Sequence, residues 1–92
     1  MIKSFKHKGL EKFYLTGSLS GIRAEHEKRL RVILNRLNLM TDINDINLPG
    51  LNLHKLKGNL NDYWSLKVNG NWRITFKFED ENVYIVDYQD YH

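Results

Sequence analysis

Residues 63–78 read Tyr63-Trp-Ser-Leu-Lys-Val-Asn-Gly-Asn-Trp-Arg-Ile-Thr-Phe-Lys-Phe78, two alternating runs either side of an Asn69-Gly70 pair. In an extended chain successive side chains point to opposite faces, so Trp64, Leu66 and Val68 share one side of the first run. Trp72, Ile74, Phe76 and Phe78 share one side of the second, with Arg73, Thr75 and Lys77 on the other. Paired as a hairpin, the two apolar sides merge into one slab of aromatic and branched groups, which predicts the core of the domain. Asn-Gly is a strong hairpin signal because the favoured two-residue turn needs positive φ at both central positions, and this places the turn at Asn69-Gly70. The opposite face projects Arg73 from a rigid strand.

The chain has 92 residues, 41% of them apolar, which suffices for one core, and no linker divides it, so residues 1–92 are read as a single domain. The net charge of +3 is unevenly spread. Residues 1–40 hold nine Lys or Arg against three Glu, and the remainder five against eight Asp or Glu, so a +6 front half precedes a −3 back half. A basic half suits a phosphate-binding surface, because each Lys or Arg contact displaces condensed counterions, although solvated helix faces explain the same charges. There is no cysteine, so disulfides and thiolate metal sites are excluded. The opening Met-Ile-Lys-Ser-Phe-Lys-His-Lys lacks the apolar run of a signal peptide, and no stretch approaches a membrane span, so a cytoplasmic protein is expected.

Along the chain, Ile2 to Phe5 predicts a short strand that joins the later sheet. Lys8 to Thr16 predicts a helix with Leu10, Phe13 and Tyr14 inward and Gly17 at its C-terminus. Ser20 is read as the N-cap of a longer helix between Ala24 and Met40, whose stripe is Leu30, Ile33, Leu34, Leu37 and Met40. Thr41 to Gly50 is an irregular connection with a helical turn around Asp42 to Ile46, and Leu51 and Leu53 alternate like an edge strand. Glu79 to Asn82 is a polar turn, and Val83 to Tyr88 is a β-former run expected to be covered on both sides. Two helices followed by strands joined through turns too short for crossovers predict an α+β domain, its helices on one face of a mostly antiparallel sheet.

No Gly-rich phosphate loop, Gly-x-Ser-x-Gly elbow or His-Glu-x-x-His is present, so nucleotide hydrolysis, serine esterase and zincin chemistry lack their parts. Histidines at 7, 26, 54 and 92 are too scattered for a structural metal site, and no metal or cofactor is expected. The remaining polar candidates are His54, Lys57, Arg73, Asp90, Tyr91 and His92. Each alone has an ordinary explanation as strand surface or chain end. Together they match a single reaction. Cleavage of RNA through its 2′-hydroxyl needs a base for that hydroxyl, a cation for the pentacovalent phosphate and an acid for the leaving oxygen. Imidazoles near pKa ~6.5 with Arg and Lys as anion clamps fit without a metal, and a tyrosine stacks on a splayed base.

These residues also carry a likeness. The start Met1-Ile-Lys-Ser-Phe-Lys-His-Lys-Gly-Leu10, Leu53-His-Lys-Leu-Lys-Gly58, Tyr63-Trp-Ser65, Asn71-Trp-Arg-Ile-Thr-Phe76 and the closing Asp90-Tyr91-His92 resemble the HigB toxins of the RelE-type ribosome-dependent mRNA endonucleases. The resemblance implies a small RelE-like domain of two N-terminal helices on a four- to five-stranded sheet. It implies cleavage of messenger RNA in the A site of a translating ribosome, contact with 16S ribosomal RNA, and a HigA-like helix-turn-helix antitoxin through which alone DNA would be met. By the same resemblance His54, Asp90, Tyr91 and His92 are catalytic and Lys57 and Arg73 bind phosphate, one histidine serving as base, the other as acid, and Asp90 orienting them. The helical half, including Glu11 to Tyr14 and Asn44 to Leu51, matches the family only loosely. The readings set against this one are a related-fold toxin that binds a protein such as DNA gyrase without nuclease chemistry, a non-catalytic basic RNA-binding module, and a structural or assembly protein.

Overall fold

The structure, a computed structural model, describes residues 1–60 and 62–91. The hairpin is present as β2 (Tyr63–Asn69) and β3 (Trp72–Glu79), with Trp64 opposite Phe76 and Leu66 opposite Ile74. A two-residue strand β1 (His54–Lys55) pairs outside β2, and β4 (Asn82–Asp90) pairs with β3, giving an antiparallel sheet in the order β1-β2-β3-β4. Helices α1 (Lys8–Thr16) and α2 (Glu27–Leu39) bury Leu10, Phe13, Leu30, Ile33, Leu34 and Leu37 in one cluster with Leu66, Val68, Ile74, Phe76, Val86 and Tyr88. The domain is therefore α+β, as predicted, with the helices on the slab face.

Several details differ from expectation, each for a local reason. In the first hairpin only Gly70 has positive φ, +58°, and Asn69 pairs with Trp72, so the turn is centred one residue later on Gly70-Asn71. The turn with positive φ at both central residues is instead the second one, where Asp80 at +52° and Glu81 at +64° link β3 to β4. Leu51 and Leu53 do not make a strand, because Gly50 and Asn52 both sit at positive φ, +85° and +48°. Ile2 and Phe5 bridge in parallel to Val83 and Val86, two isolated bridges rather than a continuous strand, and they cover the otherwise open edge of β4.

Ser20 does not cap the second helix. Its hydroxyl meets that of Ser18 at 3.0 Å, and the helix is entered through a short 3-10 turn, Ala24–His26. The first helix is capped by His7, whose Nδ1 accepts from the Leu10 amide at 2.9 Å, and Gly17 closes it at φ +81°. Near the start of α1 the backbone passes so close to the following loop that a Cβ on Gly21 would lie 2.4 Å from the Gly9 Cα. Gly21→Ala must therefore push two backbones apart and is expected to cost about 1–3 kcal/mol, as overpacking does, read as a lower midpoint in thermal denaturation.

Candidate active site

The side of the sheet away from the helices is the open face, and a bulge in β4 decides what it displays. Lys77 is opposite Tyr84 and Thr75 opposite Asp87, so one extra residue of β4 is accommodated between these pairs. Without that residue the two-residue alternation would turn Asp87 toward the helices and Val86 outward. The bulge includes Ile85 at φ +57°, an outlier conformation for a β-branched side chain. Ser4 holds it there: the Ile85 amide donates to Ser4 Oγ at 2.8 Å and the Val86 amide to Ser4 O at 3.1 Å.

With that parity set, a row of polar residues crosses all four strands on the face away from the helices, His54 opposite Ser65, Ser65 opposite Thr75 and Thr75 opposite Asp87; His54 is exposed, while Ser65, Thr75 and Asp87 are buried beneath their neighbours. The next row is Lys67, Arg73 and Gln89. Neighbouring strands lie ~4.8 Å apart, so His54 and Asp87 are about 14 Å from each other across the sheet. Lys6, Leu56, Tyr63, Thr75, Ile85, Asp87, Gln89 and Tyr91 line a shallow dent of about 60 Å³ on this face. Lys77 sets its ammonium 5.2 Å from the Tyr63 ring centroid, a cation on an aromatic face.

His54 is exposed on the edge strand, and its Nδ1 lies 3.1 Å from Asn52 O. A carbonyl only accepts, so Nδ1 carries the proton and the neutral ring keeps its lone pair on Nε2. The positive φ of Asn52 aims that carbonyl at the ring. Arg73 is half-buried, and its Nη1 donates to Gly70 O at 2.8 Å and to Trp72 O at 3.1 Å, which pins the guanidinium beside the hairpin turn. Those bonds occupy one of three nitrogens. Lys57 is exposed just after β1. Tyr91 continues the β4 ladder through its amide to Asn71 O at 2.8 Å and joins the dent.

Asp90 is not brought beside His54. Strand alternation gives it the parity of Tyr88, on the helix side, where its charge acts on Arg23 and Tyr88. His92, the remaining candidate, lies outside the described residues. The open face thus unites His54, Arg73 and Tyr91 and separates Asp90 from them.

Sequence reasoning missed Lys6, Asp87 and Gln89, because the bulge that turns the last two outward leaves no mark in a run of β-formers. It also missed a buried polar group behind the sheet. His26 Nδ1 is 2.6 Å from the Tyr88 hydroxyl, Tyr88 stacks on Trp72 with ring centroids 4.5 Å apart, and the Arg23 amide donates to the same hydroxyl at 3.4 Å. A neutral His26 ring can pair with this hydroxyl in either direction, because the oxygen that accepts from the Arg23 amide keeps a second lone pair as well as its proton. Burial lowers the His26 pKa below its ordinary 6.5, and burial also raises that of Tyr88. The folded state then binds fewer protons than the unfolded one just below pH 6.5, so stability is full above that value and is lost as pH falls toward the lowered pKa. Thermal midpoints measured from pH 7.5 down to about 5 should decline in the wild type and stay flatter in His26→Gln.

This α+β domain thus carries, on the sheet face away from its helices, an imidazole at one edge, a tyrosine at the other and Lys67, Arg73 and Lys77 around them. The family model described as "RelE-like toxin of type II toxin-antitoxin system HigB" matches residues 3–92, and Endoribonuclease HigB of Proteus vulgaris is 45% identical over 92 residues, the whole of both chains. The chain belongs to the HigB-like toxin family. It is the toxin of a type II toxin–antitoxin pair, with an antitoxin as partner. Among the described residues no helix is long and apolar enough to cross a membrane.

Proposed function

We propose that this toxin is an endoribonuclease that cuts messenger RNA in the A site of the translating ribosome, by metal-independent acid–base attack of the RNA 2′-hydroxyl. The observation that carries the reading is His54: an exposed imidazole on a cationic sheet face, with Nδ1 committed to Asn52 O and Nε2 left to accept a proton. The Proteus vulgaris relative's name, Endoribonuclease HigB, supports the same activity here.

In this mechanism RNA lies across the open face between β1 and the end of β4. His54 Nε2 takes the 2′-hydroxyl proton, the freed oxygen attacks the adjacent phosphorus, and the bond to the 5′-oxygen breaks. That oxygen leaves with a proton from His92, the acid, so the products are a 2′,3′-cyclic phosphate and a 5′-hydroxyl. Arg73 and Lys57 neutralise the charge that builds on the pentacovalent phosphate, and Tyr91 stacks on a base beside the break. Asp90, separated by the sheet from His54, serves to orient His92. Arg73→Ala is expected to slow cleavage about 10²–10³-fold. Arg73→Lys recovers only part of it, since an ammonium lacks the planar fork that holds both the turn carbonyls and a phosphate.

The exposed basic residues of α2, Lys28, Arg29, Arg31 and Arg36, contact 16S ribosomal RNA, and the antitoxin is a HigA-like helix-turn-helix protein through which alone the complex meets DNA. The toxin works in the cytoplasm. Mapping transcript 5′ ends after induction tests the reading: new ends within translated codons should appear with the wild type and vanish with His92→Ala. Growth arrest with no new ends would instead favour blockage or a protein target.

A further inference from the structure

Asp87 is an unusual charge for the floor of this dent. It is 8% exposed, one carboxylate oxygen accepts from the Tyr88 amide at 2.9 Å and the other from the Gln89 side-chain amide, yet the ion pairs among the described residues are Arg23–Glu25 and Arg31–Glu27. A carboxylate so placed repels any phosphate that approaches, unless a cation stands on the phosphate's other side. Lys6 is the lysine that lines the same dent. It is exposed, and no ion pair consumes its ammonium among the described residues.

Its backbone is fixed in place. The Lys6 amide donates to Val86 O at 2.9 Å, one residue beyond the strained Ile85, and His7 next to it donates to the same carbonyl at 3.4 Å while capping α1. The segment Ser4–Lys6 and the β4 bulge are therefore one unit: Ser4 holds Ile85 at positive φ, and two residues on the Lys6 amide bonds Val86 O, which fixes Lys6 beside the dent that Tyr63 and Leu56 also line. Strain kept beside a pocket by a dedicated set of bonds is a mark of a site that is held in shape.

We infer that Lys6 is a substrate-binding residue, its ammonium contacting an RNA phosphate on the Tyr91 side of the dent, about three strand spacings from His54. The inference rests on the nuclease reading for its setting. It adds a contact from the N-terminal segment, which supplies none of the groups assigned above.

The test compares wild type, Lys6→Gln and Lys6→Arg in single-turnover cleavage of a defined mRNA on programmed ribosomes, at several toxin concentrations and salt concentrations. Lys6→Gln should raise the half-saturating toxin concentration several-fold, with the loss falling there more than on the saturated rate, and Lys6→Arg should restore most of it. The slope of log affinity against log salt should shrink by about 0.7, the value of one phosphate contact on a single strand. Equal half-saturation in Lys6→Gln and wild type, or a loss confined to the saturated rate, overturns the inference. A second arm measures anisotropy of a short fluorescein-labelled single-stranded RNA with the isolated proteins. If the wild type does not cut on ribosomes, the nuclease reading fails; weaker, less salt-dependent RNA binding by Lys6→Gln still supports the contact, and unchanged binding overturns it. The Lys6 side chain is exposed, so the melting temperatures should coincide.

Discussion

Replacing His54 with alanine is expected to slow mRNA cleavage on programmed ribosomes by about 10²–10⁴-fold, the usual contribution of a positioned general base. The ring is on the surface of a two-residue edge strand, so the loss should appear without a shift in thermal midpoint. The pH dependence separates a base from a mere contact. A base must be unprotonated to act, so a wild-type rate that rises with pH, with that rise absent in the alanine variant, marks a base and not a contact. His54→Gln keeps the size of the side chain but cannot cycle a proton, so it should be nearly as slow as alanine. If either variant cuts at the wild-type rate while folded, another group takes the 2′-hydroxyl proton.

The second large effect concerns the fold that carries this face. Phe76 is wholly buried in β3, between Trp64 on one side and the β4 bulge on the other, with helix side chains over it. Phe76→Ala removes a large apolar group from a site that strands on both sides keep from collapsing, and should cost about 3–5 kcal/mol. A small domain has about 5–15 kcal/mol in total, so the variant sits near the threshold of unfolding at 37 °C. Chemical denaturation should show a lower midpoint with an unchanged slope, which separates lost stability from a changed unfolded state. Phe76→Leu should recover most of the difference. The contrast with His54→Ala matters because loss of activity through unfolding and loss through chemistry otherwise look alike in a growth assay.

What could be read from residue order follows the periodicity. The alternation of Trp64 to Phe78 named both arms of the hairpin and its buried side, and the stripe from Leu30 to Met40 named the buried side of α2, because strand and helix periods translate directly into faces. Turn geometry translated less well. Asn69-Gly70 carries the right residue types, but the register of Asn69 with Trp72 moved the turn by one residue, and two acidic residues took up the positive φ of the other turn under the pull of the pairing on each side. The hardest feature was the parity of β4. In Val83-Tyr-Ile-Val-Asp-Tyr88 every residue but Asp87 is a β-former, so local preference says nothing about which two share a position opposite Phe76. The deciding bonds come from Ser4, some eighty residues away. Asp87, Gln89 and Lys6 were therefore invisible as site residues, and Asp90 looked like a neighbour of His54 when alternation turns it to Tyr88. Arg73 was legible because the hairpin pattern had already marked its side of β3 as the face away from the core, whereas His54 and Tyr91 were named by residue type and by the family resemblance, which no periodicity supplies.

In the proposed mechanism the RNA itself supplies the nucleophile and His54 activates it. The most direct measurement uses two versions of one mRNA on programmed ribosomes, identical except for a single 2′-deoxy nucleotide at the mapped cleavage position, with the chemistry of the new ends determined. The ribose version should give a 2′,3′-cyclic phosphate and a 5′-hydroxyl, and the 2′-deoxy position should not be cut. A cut at the deoxy position, or a 5′-phosphate on the downstream fragment, would mean that water or another group attacks the phosphorus, and would contradict that mechanism.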